Sequence, residues 1–264
     1  MTSFETSSSV RIVSLYPDLL GTYGDGGNAL ILRRRLEWRG IGVEHLTIDA
    51  GDSVPDSADL YLIGGGEDGP QVQATRELET SQGLHRAVDK GAVVLAICAG
   101  MQILGHRFPD ATGASQPGLG LLDCETLRVD RPRAVGELLT TNASLVTASS
   151  VIDLGPLTGF ENHAGRTIPG PSATTLASVE VGEGNGNGTE GIVTGSVIGT
   201  YLHGPALARN PLLADALLGL IIGKTALTPI DDSDVDQLRT ERLHAAREHE
   251  LAPRRSWRDL LKRS

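Results

Sequence analysis

Cysteine is nearly absent from this chain: Cys98 and Cys124 are the only two among 264 residues. Two thiols in so long a polypeptide make no disulfide framework, which points to a reducing, cytoplasmic setting. No apolar run reaches the roughly 18 residues that a membrane-spanning helix needs. Residues 1–9 are polar, with neither a basic start nor an apolar core, so no secretory signal is expected. Basic residues are in the minority, 23 Lys and Arg against 33 Asp and Glu, for a net charge of −10. Phosphate backbones and anionic membrane surfaces would be repelled at long range, which argues against nucleic-acid or lipid-surface binding. Neither a Cys-x-x-Cys nor a His-x-x-x-His pair occurs, and no structural metal is expected. The glycine loop at residues 21–28 has neither the G-x-G-x-x-G spacing nor a P-loop lysine, so no nucleotide site is expected there. With 39% hydrophobic and 21% charged residues, the chain has the composition of a globular protein with one principal core.

What is present is organised around residues 91–105. Positions 92–97 are continuously apolar and rich in β-branched residues, as in a central strand covered on both faces. Immediately after Cys98 the apolar spacing becomes helical, through Met101, Ile103 and Leu104. A cysteine on such a strand-to-helix corner projects from the end of a sheet, and small neighbours (Ala96, Ala99, Gly100) leave room for the turn. The unpaired N–H groups of the following helix are expected to lower the thiol pKa. The alternative for a lone cysteine is a buried structural thiol.

Around this corner, strands are predicted at residues 10–16, 43–48 and 59–63, with a helix from the glycine loop to about Trp38 and further helices over 72–80 and 84–90. The alternation predicts an α/β fold: three layers, with a mostly parallel open sheet and helices on both faces. Gly64, Gly65 and Gly66 follow the third strand at the end of the sheet where ligands bind, and their backbone N–H groups can approach a ligand closely. Together with the Ala99 N–H they can meet a developing oxyanion. A further strand over 121–129 contains Cys124, read as core. Arg128, Arg131 and Arg133 either hold a carboxylate or form a solvated face. Residues 158–166 read as a polar loop and 182–188, with their Asn-Gly pairs, as a hairpin tip. Residues 196–205 form an apolar strand ending at His203. If that strand lies parallel to the one before Cys98, His203 emerges at the same edge and can relay the thiol proton; the alternative is a satisfied core histidine. Residues 211–222 form the closing helix. The organisation expected is a disordered segment at 1–9, one domain over 10–228, and a charged helical tail over 229–264. That tail either packs back on the domain or docks on a partner, and it carries a helix to about Leu251 and a short one at 257–261.

The cysteine corner, the Gly64–Gly65–Gly66 loop and Tyr201-Leu-His203-Gly together resemble a class I glutamine amidotransferase domain of the cobyric-acid-synthase type, over roughly residues 10–220. Tyr16-Pro-Asp-Leu-Leu, Tyr23-Gly-Asp-Gly-Gly-Asn28 and Gly159-Phe-Glu-Asn-His-Ala-Gly-Arg166 are similar to strings in the glutaminase subunits of lipid II isoglutaminyl synthases. The resemblance implies that Cys98 attacks the side-chain amide of glutamine as part of a Cys98–His203 dyad. It implies an oxyanion hole from Gly65 and Ala99, and glutamine contacts from Gln102, Gly66, Arg133 and Arg128, with Arg133 on the α-carboxylate. The glutamate that classical triad members of the superfamily carry two residues after the histidine is Pro205 here; the cobyric-acid-type relatives resemble this chain in working with a Cys–His dyad, and no group that orients His203 is evident. No cofactor is implied. The chain has no ATP-binding motif, so the resemblance implies a heterodimer with a MurT-like, ATP-dependent Mur-ligase subunit that amidates lipid II in peptidoglycan synthesis. The alternatives are the glutaminase part of a corrinoid amidase and a catalytically silent binding module.

Overall fold

A computed structural model describes residues 9–147, 150–223 and 227–251. Residues 1–8 of the expected N-terminal segment and the short helix expected at 257–261 lie outside the described residues.

The core is a six-stranded sheet built from β1 (Val10–Leu15), β2 (Val43–Ile48), β3 (Leu60–Ile63), β4 (Val93–Ile97) and two later strands, Ile192–Thr194 and Val197–Thr200. From one edge to the other the order is Ile192–Thr194, Val197–Thr200, β4, β3, β1, β2, and only the first of these runs antiparallel to its neighbour. Successive side chains of a strand point to opposite faces. Every residue of β3, β4 and Val197–Thr200 is nevertheless buried, so both faces of the sheet are covered. The covering helices are α1 (Gly27–Glu37), α2 (Asp68–Ser81), α3 (Gly83–Asp89), α4 (Ala99–Leu104) and Pro211–Ile222. The last of these starts with proline at its first position and stops at Gly223, whose φ of 69° suits glycine. Buried Arg35 of α1 pairs with Asp215 of that helix and with Asp232 at the head of the tail.

Register decides where the loops emerge. Ile63 pairs with Ala96, and Thr200 pairs with Ile97. The glycine loop, Cys98 and the segment leading to His203 therefore leave the sheet side by side, as the alternation of elements predicted.

Between α4 and Val197–Thr200 the chain builds a second, antiparallel sheet in the order Thr158–His163, Ala134–Thr141, Ala177–Val181, Thr189–Glu190, and pairs Gly165–Pro169 with Cys124–Arg128. Here residues 158–166 differ from the expectation: they are two strands and not a loop. Their buried polar residues hid the pattern, because Glu161 and His163 face inward and satisfy each other at 3.1 Å. The glycine-rich hairpin tip expected at 182–188 does join Ala177–Val181 to Thr189–Glu190. The two sheets are joined at the site, where Phe160 and His203 exchange both backbone hydrogen bonds, at 3.1 and 2.8 Å.

The tail helix Ser233–Leu251 packs back on this second sheet. Arg247 chelates Glu180 at 2.6 and 2.9 Å, Ala246 is buried, and Arg239 donates to the Pro156 carbonyl. Among the described residues no helix is long and apolar enough to cross a membrane.

Candidate active site

Cys98 sits between β4 and α4 with φ 50° and ψ −105°, a conformation that costs a residue with a Cβ on the order of 1–3 kcal/mol. The surrounding structure enforces it: the Cys98 N–H donates to the Thr200 carbonyl at 2.8 Å, and its own carbonyl accepts from Gln102 at 3.0 Å. Gly100 lets α4 close on β3, since a Cβ there would come within 2.8 Å of the Ile63 carbonyl oxygen. The thiol is buried and donates to the Asn162 carbonyl at 3.9 Å. Burial, with the Asp25 charge adding to it, pushes its pKa up to about 12, while the Ala99 N–H pulls the other way. The lowered pKa expected from the helix N-terminus is therefore not found. α4 has only six residues, and its end field does not offset desolvation of the sulfur. At neutral pH the resting thiol keeps its proton.

Across Gly65 from the thiol lies His203. Its ring is buried, with Nδ1 at 3.2 and 3.3 Å from the two oxygens of Asp25 and with Nε2 buried and without a hydrogen-bond partner among the described residues. A Cβ built on Gly65 would lie 2.6 Å from His203 Cε1 and 3.4 Å from Cys98 Cβ, so the imidazole and the cysteine face one another across a position only glycine fills. A carboxylate on Nδ1 draws the ring proton to that nitrogen and leaves Nε2 with a lone pair, the tautomer that accepts a proton. Asp25 lies in the Tyr23-Gly-Asp-Gly-Gly-Asn28 loop and is the residue that sequence reasoning missed. The available signal was a lone acid among glycines at the carboxyl end of the first strand.

Asp25 also changes the place of Gly65. The Gly65 N–H donates to the Asp25 carboxylate at 2.8 Å and is not free to meet an oxyanion. Among the described residues Gly66 makes no backbone hydrogen bond through its N–H, and the Ala99 N–H faces the Cys98 sulfur. These two are the available donors.

A cleft of about 220 Å³ opens over the thiol, and Gly66, Gln102, Arg128 and Arg133 all line it. Arg131 turns to Glu183 at 2.6 Å, whereas Arg128 has no acidic partner among the described residues. Arg133 bonds both the side-chain and the main-chain oxygen of Asn162. The Gln102 amide is largely committed, accepting from Gln71 at 2.9 Å and donating to the Tyr201 hydroxyl at 3.1 Å. It keeps one N–H and one lone pair for a ligand. Cys124 is buried away from this lining, as expected for core.

Behind the site, fully buried Glu190 accepts from the Tyr201 N–H at 2.8 Å and from the Thr200 hydroxyl, holding the turn into His203. Its second oxygen meets no hydrogen-bond geometry among the described residues, although the Gly191 N–H lies close enough to favour the charged form. Burial pushes this carboxyl from 4.5 up to about 7, against the hydrogen bonds from Thr200, Tyr201 and Gly191. Between those values the folded state binds more protons than the unfolded one, so stability falls as pH rises from about 4.5 to about 7. Glu190→Gln keeps the acceptor oxygen and removes the ionisation. Relative to wild type the variant is expected to gain on the order of 3 kcal/mol on going from acid to mildly alkaline pH. Denaturant titrations at the two pH values read this, and parallel pH slopes would contradict it.

A buried thiol, imidazole and carboxylate, the Gly66 and Ala99 N–H groups and an arginine-lined cleft are the kinds of group that acyl transfer from a carboxylate-bearing substrate uses. Residues 11–211 match the CobB/CobQ-like glutamine amidotransferase domain. The GatD subunit of the glutamine-hydrolysing lipid II isoglutaminyl synthase of Staphylococcus aureus is 34% identical over 231 residues, which is 86% of this chain and 90% of that one. The corresponding subunit from Streptococcus pneumoniae is 33% identical over 81% of each chain. A cobyric acid synthase of Limosilactobacillus reuteri is 34% identical over 67% of this chain, but that region is 34% of the synthase. A solved glutamine amidotransferase shares the fold, with a TM-score of 0.54 and 19% identity over 79% of this chain and 98% of that one. By the span of the domain match and the identity sustained over most of both chains, the protein belongs to the CobB/CobQ-like glutamine amidotransferase family.

Proposed function

We propose that the chain hydrolyses L-glutamine at Cys98 and passes the ammonia to a MurT-like, ATP-dependent ligase subunit, which amidates the D-glutamate α-carboxyl of lipid II. His203 Nε2 takes the thiol proton as sulfur attacks the side-chain carbonyl carbon. The oxyanion is met by the Gly66 and Ala99 N–H groups. The tetrahedral adduct collapses, the C–N bond breaks, and the histidine returns the proton to the departing nitrogen, releasing ammonia. Water, deprotonated by the same ring, hydrolyses the thioester to glutamate. Asp25 holds the ring tautomer throughout, and Arg133, with Arg128, binds the α-carboxylate.

The observation that carries this reading is the buried Asp25–His203 pair set against Cys98 across Gly65. The acceptor rests on likeness to the two GatD subunits, which runs over more than four-fifths of this chain. Ammonia at neutral pH is mostly ammonium, so the chemistry calls for a protected handover within a cytoplasmic complex. The test uses glutamine labelled in its amide nitrogen and follows glutamate release by the purified chain, alone and co-expressed with a Mur-ligase-like subunit, ATP and lipid II. Labelled, amidated lipid II is the expected product. No glutamate release in either setting would overturn the reading, and release without lipid II labelling would reassign the acceptor.

A further inference from the structure

Asn162, on the strand Thr158–His163, takes no part in that scheme, yet its polar atoms bind several of its components. Its side-chain oxygen accepts from Arg133 Nε, and its main-chain oxygen accepts from Arg133 Nη2 at 3.0 Å and from the Cys98 thiol. Its side-chain N–H donates to the Tyr23 hydroxyl at 3.0 Å, and the Tyr23 ring lies 4.7 Å from the His203 ring. Two oxygens on Nε and Nη2 of one guanidinium form the contact that a bound carboxylate makes with arginine. Asn162 thus covers the bidentate edge of Arg133 with a neutral imitation of a carboxylate.

We propose that Asn162 is an internal stand-in for the substrate carboxylate: its side-chain oxygen occupies Nε of Arg133 and must leave that nitrogen before a carboxylate oxygen of glutamine binds there, while its main-chain oxygen stays on Nη2. The inference rests on Arg133 as the carboxylate anchor of the proposed reaction. A neutral amide oxygen is a weaker partner for guanidinium than a carboxylate, so substrate displaces it at a cost in affinity. The same movement breaks the bond from the Asn162 amide to the Tyr23 hydroxyl, which keeps its own bond to Glu67 at 3.3 Å. An aspartate at this position would instead be a permanent competitor carrying the substrate's own charge.

The test compares Asn162→Ala and the near-isosteric Asn162→Asp with wild type for kcat and KM in glutamate release, each also in an Arg133→Ala background. Asn162→Ala is expected to lower KM about fivefold, the worth of one hydrogen bond that substrate no longer has to displace. Asn162→Asp is expected to raise KM about tenfold or more. In the Arg133→Ala background both effects on KM should vanish, because the competition has lost its object. A higher KM for Asn162→Ala, or KM changes that persist without Arg133, would overturn the stand-in while leaving the glutaminase reading intact. Failure of wild type to turn over glutamine would remove both.

Discussion

Replacing Cys98 by alanine is expected to lower glutamate release from glutamine by at least about four orders of magnitude, because the covalent step has no substitute. The other cysteine, Cys124, is buried and does not line the cleft. The fold should survive, since Cys98 is held by its own backbone and not by its thiol: the N–H to Thr200 and the carbonyl from Gln102 remain. Cys98→Gly separates chemistry from strain. With φ at 50°, glycine suits the backbone better than any residue with a Cβ, so this variant should be inactive yet more stable by about 1 kcal/mol. Glutamate assays and denaturant melts on the pair check both halves. Substantial release by either variant would remove Cys98 as the nucleophile.

Asp25→Asn should lower kcat by roughly 10²–10⁴-fold with a smaller change in KM. The substitution keeps size and can keep an oxygen for the Gly65 N–H. Its amide N–H then faces His203 Nδ1 and forces the ring proton onto Nε2, the nitrogen that must accept the thiol proton. Asp25 does not line the cleft, so ground-state binding is expected to hold. With the thiol pushed up to about 12, almost no spontaneous thiolate exists to compensate. Activity in the variant should recover as pH rises and hydroxide replaces the base, whereas wild type should gain less. Wild-type kcat in Asp25→Asn would mean that another group orients His203.

The parallel sheet and the placement of Cys98 and His203 were legible from local patterns: continuous apolar runs, a breaker after each, and glycines where the strands end. Such patterns depend on neighbours in sequence, and a central strand's burial on both faces leaves its mark within five residues. The antiparallel strands at Thr158–His163 and Gly165–Pro169 were not legible, because Glu161 and His163 are buried as a mutually satisfied pair and imitate a solvated loop. The thiol's raised pKa was also hidden, since burial around Cys98 comes from segments that the sequence keeps apart.

By itself, then, the sequence determined the layer architecture, the cysteine corner and the edge of the sheet where chemistry gathers, since periodicity and backbone permissiveness are local properties. Tertiary structure alone decided what completes the site. Asp25 reaches His203 across 178 residues, Asn162 reaches Cys98 across 64 and Tyr23 across 139. Their meeting is set by strand register and by the second sheet docking on His203. Hydrogen bonds of that range are fixed only once the chain has closed its loops, so no spacing in the sequence records them.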